Sequence, residues 1–183
     1  MRKITLLTLK VFVCALLTGC AATLPTQTIV NSGYRYSLEG VKTVTISTRC
    51  PNPKLDDVKP SFVPEYCQML GSSAKLAIKS KYPAWQLKDA DADAQIDILL
   101  EELYGGSSQA RFWVGFGAGK TAITVYVKVT RNNSVLAEGR LIETSTMPNL
   151  STGNWSNEEL LTQDAPLISR KIADFVADPN SFK

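Results

Sequence analysis

TAITVYVKVTRNNSVLAEGRLIE, residues 121–143, is the stretch that decides the fold. Along 121–130 the side chains alternate. Ile123, Val125, Val127 and Val129 fall on one side, with Ala122, Thr124, Tyr126, Lys128 and Thr130 on the other. A period of two marks a strand with one buried and one wetter face. Asn132-Asn133 supplies a turn, and 135–143 reads as the return strand, with Val135, Ala137 and Leu141 sharing a face. A two-residue loop sets Glu138 and Arg140 beside the valines, whereas a three-residue loop sets Ala137 and Leu141 there. A one-residue slip exchanges the faces of a strand, so the three-residue loop is expected.

Upstream, residues 94–103 alternate in the same way, Ala94, Ile96, Ile98 and Leu100 against Gln95, Asp97 and Glu101. Before them a helix is expected from about Val63 to Tyr82. Val63, Cys67, Leu70, Ala74, Ala77 and Ile78 recur at helical spacing, Pro64 lies in the first turn and Pro83 stops it. The β-branched run 41–48 reads as a first strand, followed by a Pro- and Asp-bearing loop over 51–61. Downstream, Ser156 and Glu159 match a capping box, with Trp155 and Leu160 at the staple positions. Pro166 is expected to kink or split this closing helix. Asp164 would cap the second half, whose stripe is Ile168, Ile172, Phe175 and Val176.

The order β-α-β-β-β-α predicts an α+β fold, a two-layer sandwich in which two helices cover one face of a four-stranded, mainly antiparallel sheet. Residues 41–183 form this single domain.

Three segments invite a chemical reading. Gly115 to Thr121 ends in Gly-Lys-Thr like a phosphate-binding loop, but Val114 stands where that loop needs its first glycine, and a strand follows instead of a helix. Asp89, Asp91 and Asp93 alternate like a calcium loop, but Ala94 and Leu100 occupy the positions that need glycine and glutamate. A solvated acidic approach to the strand is the better reading. The third segment, 111–120, holds Arg111, Phe112, Trp113, Phe116 and Lys120 among three glycines. It is a candidate interaction loop, with Trp113 and Phe116 as anchors for a protein partner or a headgroup layer. The competing reading folds its aromatics onto the core.

The chain has no histidine. This removes Ser-His-Asp and Cys-His chemistry and the commonest zinc ligand. No metal or cofactor site is expected. Paired-carboxylate catalysis would have to draw on Glu101, Glu102 or Glu143, and no spacing singles out such a pair.

The first twenty residues carry Arg2, Lys3 and Lys10, an apolar run from Val11 to Leu17, and then Leu17-Thr18-Gly19-Cys20. Charge, a short apolar core and small residues make an export signal, and seven apolar residues rise only about 10 Å as a helix, too short to span a bilayer. The ending resembles the bacterial lipobox. That resemblance implies cleavage after residue 19, a diacylglyceryl thioether on Cys20 and a third acyl chain on its amine. Several chains at ~0.8 kcal/mol per buried methylene anchor a protein permanently. Ala21, rather than Asp, implies outer-membrane sorting with the domain facing the periplasm, or a cell-membrane location if the source is not Gram-negative. Residues 20–40 then form a lipidated, flexible tether with a reach of ~25 Å.

Removing the leader takes three cations and no acids, leaving 17 of each sign. No basic footprint for nucleic acid survives. Cys14 leaves with the leader and Cys20 takes lipid, so Cys50 and Cys67 remain, in a compartment where disulfides persist. A bridge between them would stabilise the fold by ~3 kcal/mol.

The stretch RFWVGFGAGKTAITVYVKVTRNNSVLAEGRLIE, 111–143, resembles the core motif of a family of bacterial lipoproteins known only as a domain of unknown function. In that family an Arg-aromatic segment with Gly-Phe-Gly-Ala-Gly leads into a hairpin, after a strand ending in acids, here Glu101 and Glu102. The resemblance does not extend to the Cys50–Cys67 pair. The resemblance implies a location and a fold but no activity. The expectation is a non-enzymatic envelope lipoprotein acting as an interaction or assembly module. The alternatives are an enzyme of unfamiliar type acting on envelope glycan or lipid, and a purely structural tether.

Overall fold

A computed structural model describes residues 36–106, 120–144 and 156–182. Among these lie six strands: β1 (Thr43–Arg49), β2 (Lys54–Asp56), β3 (Gln86–Leu87), β4 (Ala94–Tyr104), β5 (Ala122–Arg131) and β6 (Ser134–Thr144). Two helices accompany them, α1 (Val63–Lys81) and α2 (Asn157–Ala177). The class is α+β, as expected, but the sheet is mixed and larger than the four-stranded, mainly antiparallel one.

The sheet runs β3-β1-β4-β5-β6, with β2 paired to β4 beyond the end of β1. β1 lies parallel to both β3 and β4, and β2 is parallel to β4, while β4-β5 and β5-β6 are antiparallel. A helical crossover between neighbouring strands forces the parallel pairing of β1 with β4. The two additional strands are three and two residues long, and their side chains are exposed apart from a half-buried Leu55. They carry no hydrophobic period to read.

The hairpin corrects the loop length while keeping the expected faces. Asn132 and Asn133 both take positive φ, 51° and 59°, and Arg131 pairs with Ser134, so the loop has two residues. This is the primed turn that matches strand twist. Further along, Thr130 pairs with Val135 but Val129 with Ala137, which leaves Leu136 as an extra residue. That bulge shifts the register by one and puts Ala137 and Leu141 beside Val129 and Val125 after all. A second bulge, at Glu101, lets Leu100 and Leu103 both turn inward.

Both helices lie on one face, α1 over β1 and α2 over β5 and β6, packed against each other. α1 buries Tyr66, Leu70, Ala74 and Ile78. Tyr66 takes the buried place that the anticipated stripe gave to Val63 and Cys67, both of which are only half buried. α2 begins with the capping box at Ser156 and Glu159. It is one helix through Pro166, so the expected split does not occur. The physical reason is placement. Pro166 is exposed, and so is Thr162, the residue whose carbonyl loses its helical donor. Asp164 is therefore no cap; it is buried.

The sandwich has two distinct ends. The N-terminal segment arrives at the first, where Tyr36 Oη–H donates to Val176 O and the Arg131 guanidinium reaches Glu39 O. Tyr36 and Leu38, within the segment read as tether, already pack on the core. The hairpin turn is at this end too. At the second end lie Cys50, Cys67, the end of β4, the start of β5 and the first turn of α2.

Candidate functional site

At the second end β4 finishes at Tyr104, and the described residues stop at Gly106 and resume at Lys120 just before β5. This end therefore carries both flanks, or stems, of the segment read from the sequence as the aromatic-glycine loop. Arg111, Phe112, Trp113 and Phe116 lie outside the described residues, as do Cys20 and Trp155. Lys120 is described and exposed.

Both stems are held by α2. At the outgoing stem, Gly105 N–H donates to Asp56 O at 2.8 Å, and Asn157 Nδ2 donates to Asp57 O at 2.6 Å. A Cβ on Gly105 would stand 2.5 Å from Asp57 O and 2.6 Å from Asn157 Nδ2, so only glycine fits between them. At the returning stem, Thr121 Oγ1–H donates to Asp164 Oδ2 at 2.6 Å, and both residues are buried. Burial pushes the Asp164 carboxyl above the usual range; the Thr121 bond pulls it down and the charge of Glu143 pushes it up. Tyr66 is buried beside this group, its phenol raised by burial first and by Asp164 second. Its hydroxyl has no hydrogen-bond partner among the described residues.

This cluster fixes a strand start and presents its polar atoms to the interior. Thr121 leads directly into β5, so Gly-Lys-Thr does not open a helix. Asp164, Tyr66, Asn157 and Gly105 were not singled out by sequence as a group. Asp164 did leave a signal: it falls four residues after Leu160 and four before Ile168, on the apolar stripe. A carboxylate there must be buried and partnered.

The other sequence-selected acids are dispersed. Glu101 pairs with Arg140, Glu102 with Lys54 at 2.7 Å, and Glu143 with Lys171 at 2.8 Å. They do not converge. Glu101 lies on the sheet face away from the helices, where burial and a bond to Glu138 push the Tyr126 phenol up to about 12. Asp93, from the acidic run, accepts from the Lys42 and Thr43 main-chain N–H groups, each at 2.9 Å. These bonds hold its carboxyl below the usual range and tie the start of β1. No cluster of metal-ligating side chains occurs among the described residues.

Cys50 and Cys67 are joined, with Cα atoms 6.1 Å apart. The bond ties the end of β1 to the first turns of α1, at the same end as the loop stems. No described helix is long and apolar enough to cross a membrane.

No family model and no curated protein matches this chain. Solved structures do. The PelC dodecamer of Paraburkholderia phytofirmans is 13% identical, with a TM-score of 0.51 over 82% of this chain and 94% of the other. A Xanthomonas campestris protein of the uncharacterised family DUF330 is 12% identical, with a TM-score of 0.52 over 86% and 96%. The likeness is one of fold.

Proposed function

We propose that this chain is an envelope lipoprotein anchored through lipid on Cys20, whose domain is a non-enzymatic interaction or assembly module. The observation that carries the reading is the short apolar leader closing on Leu17-Thr18-Gly19-Cys20. Ala21 directs the product to the outer membrane, with the domain in the periplasm. The Cys50–Cys67 bond suits that oxidising compartment.

The loop 111–120 is the docking element, with Trp113 and Phe116 as anchors flanked by Arg111 and Lys120. Its stems are rigidly held, and they sit at the end of the sandwich opposite to where the tether enters at Tyr36. An 11-residue strand such as β4 separates those ends by roughly 35 Å. This placement favours contact with an envelope protein over contact with the anchoring bilayer. Self-association, the form that the PelC dodecamer takes, is one such contact.

Replacing Trp113 and Phe116 by Ala in the anchored protein, followed by in-cell crosslinking and thermal melting, tests the proposal. Lost crosslinks at an unchanged Tm are expected. A collapsed Tm would instead assign the aromatics to the core.

A further inference from the structure

β1 is bordered on its outer side for only two residues. Gln86 N–H donates to Lys42 O, and Lys88 N–H donates to Val44 O. Main-chain groups alternate in direction along a strand, so Ile46 and Thr48 also point theirs outward, while Thr45, Ser47 and Arg49 face β4. No described residue meets Ile46 or Thr48 on that edge. Exposed edges are ordinarily guarded. The opposite edge of the sheet is: Lys171 donates to Ile142 O at 2.6 Å on β6.

Beside the open edge a shallow groove of about 590 Å³ separates β1 from α1, floored by Ile46, Thr48 and Gly71 and rimmed by Gln68, Ser72 and Lys75. A smaller concavity of about 160 Å³ shares Lys75 and continues along β1 to Leu87, Lys88 and Asp89. Gly71 makes the floor. A Cβ there would stand 3.2 Å from Thr48 Oγ1, and glycine is otherwise a poor residue for the middle of a helix. Thr48 Oγ1 is buried without a hydrogen-bond partner among the described residues. Lys75 has no carboxylate partner among the described residues.

We propose that this edge receives an extended, acidic peptide segment of another envelope protein, added as a strand beside Ile46 and Thr48. The two residues offer two donors and two acceptors to the incoming main chain, which is how strand addition gains affinity. Small or β-branched side chains of the segment enter the groove over Gly71. A carboxylate on it meets Lys75, and the charged residues lining the two concavities are Lys75 and Lys88 against Asp89, so cations exceed acids there. The proposal rests on the interaction-module reading and names a second surface for it.

The test uses the full mature lipoprotein in detergent micelles and three synthetic probes. One is a short alternating threonine–valine peptide with a central glutamate, the second has lysine in that place, and the third has a central proline. Amide hydrogen exchange over 44–50 and binding by fluorescence anisotropy are read. The glutamate peptide is expected to slow exchange at Ile46 and Thr48, and the proline peptide to leave it unchanged. Lys75→Glu should weaken the glutamate peptide about fivefold and favour the lysine peptide, at unchanged Tm. Three results overturn the proposal. No peptide slows exchange; or exchange is already slow and speeds up when residues 21–35 are replaced by a Gly-Ser sequence, so that the tether occupies the edge; or it slows with protein concentration alone, so that a second copy does. In cells, Lys75→Glu that keeps every crosslink lost by the Trp113 and Phe116 variants sinks this groove and leaves the module reading standing. If neither variant changes any crosslink, both fall.

Discussion

Thr121→Val should destabilise the protein in a way that depends on Asp164. Thr121 is fully buried, Asp164 is 6% exposed, and the bond between them is 2.6 Å long. Valine keeps the shape and removes the donor. Leaving a buried acceptor without its donor costs ~1–3 kcal/mol. For a chain of this size each kcal/mol moves Tm by ~2–4 °C, so a loss of ~2 kcal/mol lowers Tm by ~4–8 °C at neutral pH. The pH dependence has a definite sign. Asp164 holds its proton more tightly folded than unfolded, because burial raises its carboxyl above the usual 3.8. Its contribution is complete below 3.8, declines as pH rises, and is gone once pH passes the raised folded value. Asp93, held low by its main-chain bonds, works in the opposite sense, so the difference between variants is the informative quantity. Asp164→Asn still accepts the Thr121 bond but cannot ionise, so it should remove the declining component. Thr121→Val should extend that component to higher pH. Thermal unfolding by circular dichroism from pH 4 to 8 on the wild type, both single variants and the double variant gives all of these. A Thr121→Val loss below ~0.5 kcal/mol, or an unchanged slope in Asp164→Asn, refutes the reasoning.

Replacing both Cys50 and Cys67 by Ser frees a loop with a sequence separation of 17 and should cost ~3 kcal/mol, read as the urea midpoint of the oxidised protein against the variant. Gly105→Ala drives a methyl into Asp57 O and Asn157, and overpacking of this kind costs ~1–3 kcal/mol, measurable by the same titration. At the hairpin, Asn133 sits at a φ of 59°. Asn133→Ala should lose ~1 kcal/mol, while Asn133→Gly should be neutral or better.

The sequence carried the fold class because period two over 121–130 and period 3.6 over 63–78 each admit one element. It misjudged the hairpin loop for an instructive reason. The requirement that Ala137 and Leu141 face inward was correct, but a bulge at Leu136 satisfies it as well as a longer loop does, and faces alone do not distinguish the two. Pro166 shows the converse: a proline removes one helical hydrogen bond without having to end the helix, and here both Pro166 and Thr162, whose carbonyl loses its donor, are exposed residues. β2 and β3 are too short and too exposed to leave a pattern. At the loop stems, Asp164 was legible as an acid on an apolar stripe. Its link to Thr121 was not, because 43 residues separate them and only the fold brings them together.

The proposed anchoring rests on lipid at Cys20. Intact and peptide-level mass analysis of the protein purified from its native membrane should find a chain beginning at residue 20, its first peptide heavier by the diacylglyceryl and amide-linked acyl groups. A free thiol at Cys20, or a product that still carries residues 1–19, would contradict it.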